Sequence, residues 1–515
     1  MTIDIRTDTN RWSPTGRWQD TRRKMLMLVP LNVAFSVWYF EWLLQPGRIG
    51  NPVLFSLLLV AEAFNLAQAA GFWWTATRAR GPVILPPAPA TDAVDILIPV
   101  YNEPVEVVEP TVAAASRLAS EGPVTVVICD DGDSDEMAAL AARYDVGYLR
   151  REQHTGAKAG NLNNALAHTS SPLVAVFDCD HVPDRDFLAR TARHFARPDV
   201  ALVQTPQYYA NARGNPIAGA SWSQQALFFG IIARGKAALD SMFCCGTNVV
   251  YRRAALEQVG GIPENSVTED FELSIRLRER DWHTVYVPEV LASGLGPEDM
   301  ASYVSQQHRW ARGCLSAIST TVRSRLPWRQ KLQFVLSSMF FLTGWTYLIY
   351  MSLPVVRIIG GEQALAGATA DQFLIHFVPY FAASMITVAV AGQGSYSFAA
   401  FALMEASFWI HISASLRALL RRKGSFVVTP KVGRSGRQIR PVIPGLIALA
   451  VLVGAAVDGL VHSRNPATLN NVAFATLHIS VILVGIWPAV AGVRRAEEAG
   501  KPIDLRVAEP VEVAA

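Results

Sequence analysis

Five short polar motifs in the middle of the 515-residue chain hold residue types that could do chemistry. Asp178-Cys179-Asp180 follows the apolar run 173–177. Two carboxylates at that spacing suit a hard cation whose other positions are filled by diphosphate oxygens and water. A bare D-x-D arises by chance on the order of once in a chain this long, so its place at the end of an apolar run is what gives it weight. Asp130-Asp131-Gly132 ends the run 124–129 in the same manner. Its carboxylates can accept hydrogens from a ring N–H or a ribose hydroxyl, although acidic turns with glycine are commonly plain solvated loops. Lys158, in Lys-Ala-Gly-Asn at the head of an apolar-periodic stretch, can meet a phosphate or a base carbonyl; alone it reads as a surface lysine. Thr268-Glu269-Asp270 offers a carboxylate general base, or only a helix cap with first-turn acids. Gln306-Gln307-His308-Arg309-Trp310 offers an arginine fork for a diphosphate and a flat indole for a sugar ring, or only an interfacial helix with an anchoring tryptophan.

The elements that must position these motifs are short apolar strands at 94–100, 124–129 and 173–177, alternating with helix-like stretches at 135–144 and 160–168. That alternation predicts a mostly parallel sheet with helices on both faces, a soluble α/β domain over 92–325. Ligands of such sheets bind beyond the carboxyl ends of the strands, where the motifs lie.

The rest of the chain has a different solvent. Hydrophobic residues make up 51% and charged residues 17% of the whole, below the ~25% charge usual in soluble domains. This excludes a disordered chain, a collagen-like fibre and a disulfide scaffold. The net charge of +3 is too mild to point to nucleic acid. The five cysteines are odd in number and lack metal-site spacing, which predicts reduced, mostly buried thiols. The apolar excess sits at the two ends, in stretches long enough to cross a bilayer. The boundaries read as an arm at 1–24, two transmembrane helices within 25–74, two within 332–392 and two within 441–493, with a tail at 494–515. Glu41 and Glu62 interrupt the first pair, so each should sit near an interface or face a cavity. Basic residues at the end of the arm, after the second span, across 421–440 and after the last span put both termini and the α/β domain in the cytoplasm of a multi-pass inner-membrane protein. The stretch 397–420, broken by Glu405, His411 and Arg417, is expected to lie in the interface, because crossing would put the basic 421–440 segment outside.

Taken in order, the motifs defeat their isolated readings. Tyr101-Asn102-Glu103-Pro104, DDG at 130–132, KAGN at 158–161, DCD at 178–180, QTP at 204–206, FCCGT at 243–247, TED at 268–270 and QQHRW at 306–310 resemble the processive family 2 glycosyltransferases, most closely the catalytic subunit of bacterial cellulose synthase. Phe426-Val427-Val428-Thr429-Pro430-Lys431 resembles the gating loop of that family, within 421–440. The resemblance runs from the first span to the last. It implies a GT-A (nucleotide-diphosphosugar transferase) domain. Tyr101, Glu103, Asp130, Asp131 and Lys158 would form the uridine end. Asp178 and Asp180 would hold Mg²⁺ or Mn²⁺ with the sugar diphosphate. Asp270 would be the base, and Gln306, Arg309 and Trp310 would bind diphosphate and acceptor sugar. Phe426, Thr429 and Lys431 would close over the nucleotide, and Gln207, Cys245, Thr247 and Glu269 would face the acceptor.

The implied activity is inverting, processive transfer from UDP-glucose to a growing β-glucan, with export across the bilayer and accessory export subunits as candidate partners. Three departures fall on the acceptor side: Gln207 in place of histidine, Gln307 in place of arginine, and the Cys244-Cys245 variant. They leave open a β-1,3 or mixed-linkage glucan and a chitin- or hyaluronan-like polymer. A transporter with an inactive transferase-like domain is the alternative from another class. Only about 22 residues follow the last span, too few for the cyclic-di-GMP-binding domain of such synthases, so no binding by the tail is expected.

Overall fold

The computed structural model describes residues 18–81, 91–420, 436–463 and 465–492. The arm to residue 17, most of the 421–440 segment with Phe426, Thr429 and Lys431, and the tail from 493 lie outside them. Among the described residues the strands are β1 (Val94–Val100), β2 (Val124–Asp130), β3 (Gly147–Arg150), β4 (Leu173–Val176), β5 (Val182–Pro183), β6 (Val200–Gln204), β7 (Tyr208–Tyr209), β8 (Val249–Arg252), β9 (His283–Tyr286) and β10 (Ala292–Gly294). Seven make one sheet in the order β3-β2-β1-β4-β8-β6-β9, while β5, β10 and β7 make a small second one.

The apolar runs become strands buried on both faces, as a helix-covered sheet requires. Along β1, Ile96 and Ile98 pack with Val108, Val112 and Met137, while Leu97 points the other way to Leu162, Val249 and Leu273. β2 and β4 pair in parallel on opposite sides of β1, so the strand order reverses there and leaves a crevice beyond the carboxyl ends. β8 runs antiparallel to both neighbours, with Val249 paired to Val176 and to Gln204. The segment just before β8 therefore arrives at the same edge as the segments just after β4 and β6. Motifs distant in sequence gather at that edge for this reason.

Among the described residues six helices are long and apolar enough to cross a membrane: Trp18–Leu43, Pro52–Thr77, Trp328–Gly360, Ala370–Ala391, Arg440–His462 and Pro466–Ala491. The second starts cleanly because Asn51 accepts the N–H groups of Val53 and Leu54 and Pro52 takes the first turn. The 397–420 stretch divides into Phe398–Ala406 and Phe408–Leu419, bent by 49°. Together they are apolar enough for one broken span, so their interfacial placement is a proposal that rests on the basic segment after them.

Two connectors mark one end of the bundle: Ile49 bridges Leu365, and Gly50 N–H donates to Ala364 O at 3.0 Å. The other end meets the α/β domain, where Lys236 Nζ donates to Gln333 O at 3.1 Å and Gln333 Nε2 to Thr75 Oγ1 at 2.9 Å. None of the five cysteines forms a disulfide, with Cys129, Cys179 and Cys244 buried and Cys245 and Cys314 partly so.

Candidate active site

The nucleotide end of the expected site lies after β1 and β2. Tyr101 is 48% exposed at the crevice, and its N–H donates to Glu103 Oε2 at 2.5 Å. Asp130 is wholly buried. Its carboxylate accepts from Gly132 N, Ser134 N and Tyr148 Oη at 2.7, 2.7 and 2.8 Å, so it builds the loop from inside. Asp131 N–H donates to Val100 O at 3.0 Å, joining the two strand ends. The Asp131 carboxylate receives Arg151 Nε and Nη2 at 2.5 and 2.6 Å. Tyr148 and Arg151 were not among the residues expected from the sequence. Their position on and just after the short, half-exposed β3 carries no motif, and only the fold aims them at the two aspartates.

The diphosphate end of the expected site lies after β4. Asp178, Asp180 and His181 bring candidate ligand atoms within 4.8 Å of one another. Two carboxylates with an imidazole fit a divalent cation. His181 also escaped the sequence reading, although it directly follows Asp180. Its Nδ1 lies 3.3 Å from Asp180 Oδ1. Lys158, in the first turn of the helix Ala157–His168, donates to Asp178 Oδ1 and, at 2.8 Å, to Gly246 O. One ammonium thus joins the segments after β4 and before β8. Thr247 is wholly buried and accepts the Asp178 N–H at 2.8 Å, beneath the carboxylates. Gln204 ties the same layer: its Oε1 accepts Cys245 N–H and its Nε2 donates to Thr247 O, at 2.8 and 2.9 Å.

Asp270 opens the helix Glu269–Arg278 opposite these groups. Gly246 lies against it with φ +78°, and a Cβ there would stand 3.1 Å from Asp270 Oδ2. Burial lifts the Asp270 carboxyl to about 7, and the charge of Glu269 adds to the rise. The Phe271 N–H, Lys158 and Arg309 oppose it. A carboxyl held near neutrality is suited to taking a proton. Arg309 and Trp310 stand on the helix Met300–Ser316, with Gln306 one turn earlier on the same face.

Asp270 and Trp310 line a cavity of about 1440 Å³, with Gln207 and Cys245 beside them. Gln207 Nε2 donates to Cys245 O at 3.0 Å, so these two residues, expected on the acceptor side, form one unit. Gln306, Arg309, Thr247 and Glu269 do not line that cavity. It continues among the membrane helices past Glu62 and Glu405 to Gln363, Leu365 and Ala467, which belong to connectors at the far end of the bundle or adjoin them. Of the two places open to Glu62, the structure selects the cavity. Its oxygens accept Tyr39 Oη and Tyr380 Oη at 3.1 and 3.3 Å.

A family model described as glycosyl transferase family group 2 matches residues 173–394. Cellulose synthase 2 of Novacetimonas hansenii is 30% identical over 513 residues, covering 95% of this chain and 32% of the relative. Cellulose synthase 1 of Komagataeibacter xylinus is 31% identical over 526 residues, covering 96% and 33%. The UDP-forming cellulose synthase catalytic subunit of Xanthomonas axonopodis pv. citri is 37% identical over 302 residues, covering 56% and 41%. The chain thus spans about a third of the length of the first two relatives. Among solved structures, a mannosyltransferase from Pyrobaculum calidifontis in complex with GDP-Man and Mn²⁺ has a TM-score of 0.52 at 17% identity, over 72% of this chain and 99% of that one. At that identity the likeness is one of fold, and the fold is the expected GT-A. A domain of the family group 2 glycosyltransferases thus matches residues 173–394, and nearly the whole chain is similar in sequence to bacterial cellulose synthases.

Proposed function

We propose that the chain is a membrane-embedded, inverting, processive glycosyltransferase that draws on UDP-glucose and extends a β-glucan, passing the product into the cavity among its spans. The observation that carries this reading is the continuity of that cavity. One space joins the carboxyl raised to about 7 and the tryptophan beside it to the opposite end of the helix bundle. Its membrane part holds polar groups that membrane helices carry only for a purpose. Glu62 is held by two tyrosines, and Glu405 accepts from or donates to His478 across 2.6 Å. A hydroxyl-rich chain finds partners there that a lipid tail does not.

In this reading Tyr101, Glu103 and Asp131 face the nucleoside, and Lys158 and Arg309 bind the diphosphate. Asp178, Asp180 and His181 hold a divalent cation, which when bound offsets negative charge on the leaving group. Asp270 removes the proton from the attacking hydroxyl, so a single displacement needs no second carboxylate. Trp310, with Gln207 and Cys245, seats the acceptor sugar. The homology to cellulose synthases supports glucose and a cellulose-like product.

The test is polymer synthesis by the purified full-length chain from labelled UDP-glucose and UDP-N-acetylglucosamine, with UDP release and linkage analysis side by side. UDP release with a β-1,4-glucan supports the reading. A polymer of N-acetylglucosamine would correct the sugar, and absence of UDP release with either donor would overturn the enzyme. Under the same assay Mn²⁺ should support activity at lower concentration than Mg²⁺, and His181→Ala should erase that preference.

A further inference from the structure

We propose that Arg151 is the positioning residue of the nucleotide end, locking the Asp131 carboxylate and the turn that delivers Lys158 into one unit; the inference rests on the UDP-sugar reading above. Arg151 directly follows β3, and its side chain is 8% exposed against 6% for Asp131. Nε and Nη2 grip the two Asp131 oxygens at 2.5 and 2.6 Å, a two-pronged fork that fixes orientation as well as distance. On its other side, Nη1 donates to Thr155 O at 2.6 Å and Nη2 to Ala157 O at 3.1 Å.

Those carbonyls belong to the turn entering the helix on which Lys158 is the second residue. The turn is left-handed twice over, with φ +73° at Gly156 and +47° at Ala157. A residue with a side chain adopts that conformation only when its surroundings impose it, and the two bonds from Arg151 are such surroundings. Gly160 completes the arrangement. A Cβ at 160 would lie 2.1 Å from Thr155 O and 2.7 Å from Arg151 Nη1, so the glycine of the Lys-Ala-Gly-Asn motif makes room for the turn carbonyl together with the guanidinium that binds it.

Asp131 joins the end of β1 beside Tyr101, and Lys158 reaches Asp178. Arg151 therefore sets the spacing between the part of the site that meets the nucleoside and the part that meets the diphosphate. A lysine at 151 keeps the charge but lacks the planar fork needed for all four acceptors.

The experiment measures the Kd of UDP and the KM and kcat for the donor in the full-length chain, with thermal unfolding as the check on folding. The variants are Arg151→Lys, Gly160→Ala, Asp131→Asn and the Arg151→Lys/Asp131→Asn pair. Arg151→Lys should raise Kd and KM about tenfold or more while kcat falls much less, as loss of binding common to ground and transition states does. Gly160→Ala, which alters no charge, should do the same by pushing on Thr155 O and the guanidinium and so breaking their contact. The pair should be little worse than its worse member, because the two act as a unit. Folded Arg151→Lys and Gly160→Ala with wild-type Kd and KM would overturn the proposal, as would a fall confined to kcat. Should neither fold, Asp131→Asn decides: a folded variant with unchanged Kd removes the role. A wild-type chain that binds no UDP removes instead the function proposed above.

Discussion

Two aspartates separate by environment. Asp270 has a carboxyl raised to about 7 by burial and by Glu269, whereas Asp180 sits with Asp178 and His181 in a cluster suited to a cation. Asp270→Asn keeps the shape and one acceptor oxygen but cannot take a proton. It should bind UDP and metal normally and lose transfer by roughly a hundredfold or more, within the ~10²–10⁴ of general-base effects. Asp180→Asn should weaken metal-dependent UDP binding, with partial rescue by excess cation. UDP binding titrated with metal, run beside polymer synthesis, distinguishes them, and an exchange of the two phenotypes would reverse the assignment. The same carboxyl sets a pH dependence. The base form exists above its pKa, so kcat/KM should rise with pH through about 7, and this limb should vanish in Asp270→Asn. At this scale the motif aspartates were legible in the sequence. Tyr148 and Arg151 were not, because their roles come from neighbours on another strand; His181 adjoins Asp180 in the sequence, but only the structure turns its ring nitrogen toward that carboxylate.

Elements meet where the α/β domain docks on the spans, and a lysine lies in that joint. Lys236 is 5% exposed, and its hydrogen bonds run to Gln333 O and Oε1 at 3.1 and 3.2 Å. Burial pushes its ammonium down to about 7, whereas an unfolded chain holds that proton to ~10.4. The unfolded state therefore binds more protons between these values. Stability from this group is complete above the upper one, declines as pH falls toward the lower, and is at its minimum below 7. Lys236→Met should flatten that slope and stabilise the chain at pH 7 by about 1 kcal/mol or more, since a buried amine without a carboxylate is costly. Thermal unfolding in detergent at pH 7 and 9.5 checks this, and an unchanged slope would show that another group titrates. The strands β1, β2 and β4 and the spans were legible at this scale from apolar run length, whereas the shorter strands were not. The bend between Phe398–Ala406 and Phe408–Leu419 was not, since it forms where Gly485 of a later helix lets Ala402 and Ala406 pack closely.

For the whole molecule, the two ends of the bundle make a prediction that basic residues and geometry share. The connector at 45–51 is tied to that at 361–369 by the Ile49–Leu365 bridge, and the α/β domain sits at the opposite end through Lys236, Gln333 and Thr75. Reporter fusions at Gly47 and Asn465 should therefore read extracytoplasmic, and a fusion at the C-terminus cytoplasmic. A cytoplasmic reading at Asn465 would overturn the arrangement and with it the route proposed for the polymer. Glu62 tests that route from within. It stands 13 residues before Thr75 on one helix, about 20 Å along the axis, well inside the bilayer core. Glu62→Gln should leave UDP release from short acceptors near normal but shorten the polymer, read from product length; unchanged length would make Glu62 a tie between helices and no more.

The sequence by itself determined β1, β2 and β4 of the seven-stranded sheet, the spans and the order of the polar motifs, because these follow from run length, periodicity and residue type, which are local. Asp130, Asp131, Asp178 and Asp180 could be named as strand-end carboxylates without a structure. What each one touches could not. Asp130 is spent inside its own loop, Asp131 is gripped by Arg151, and Asp178 is joined to Lys158. Those outcomes depend on β8 running antiparallel between β4 and β6 and on β3 lying beside β2. The raised carboxyl at 270 and the cavity leading away from it likewise exist only once the helix Glu269–Arg278, the segment before β8 and the membrane helices close on one another. Burial and enclosure arise from many distant residues together, and no single stretch of the chain encodes them.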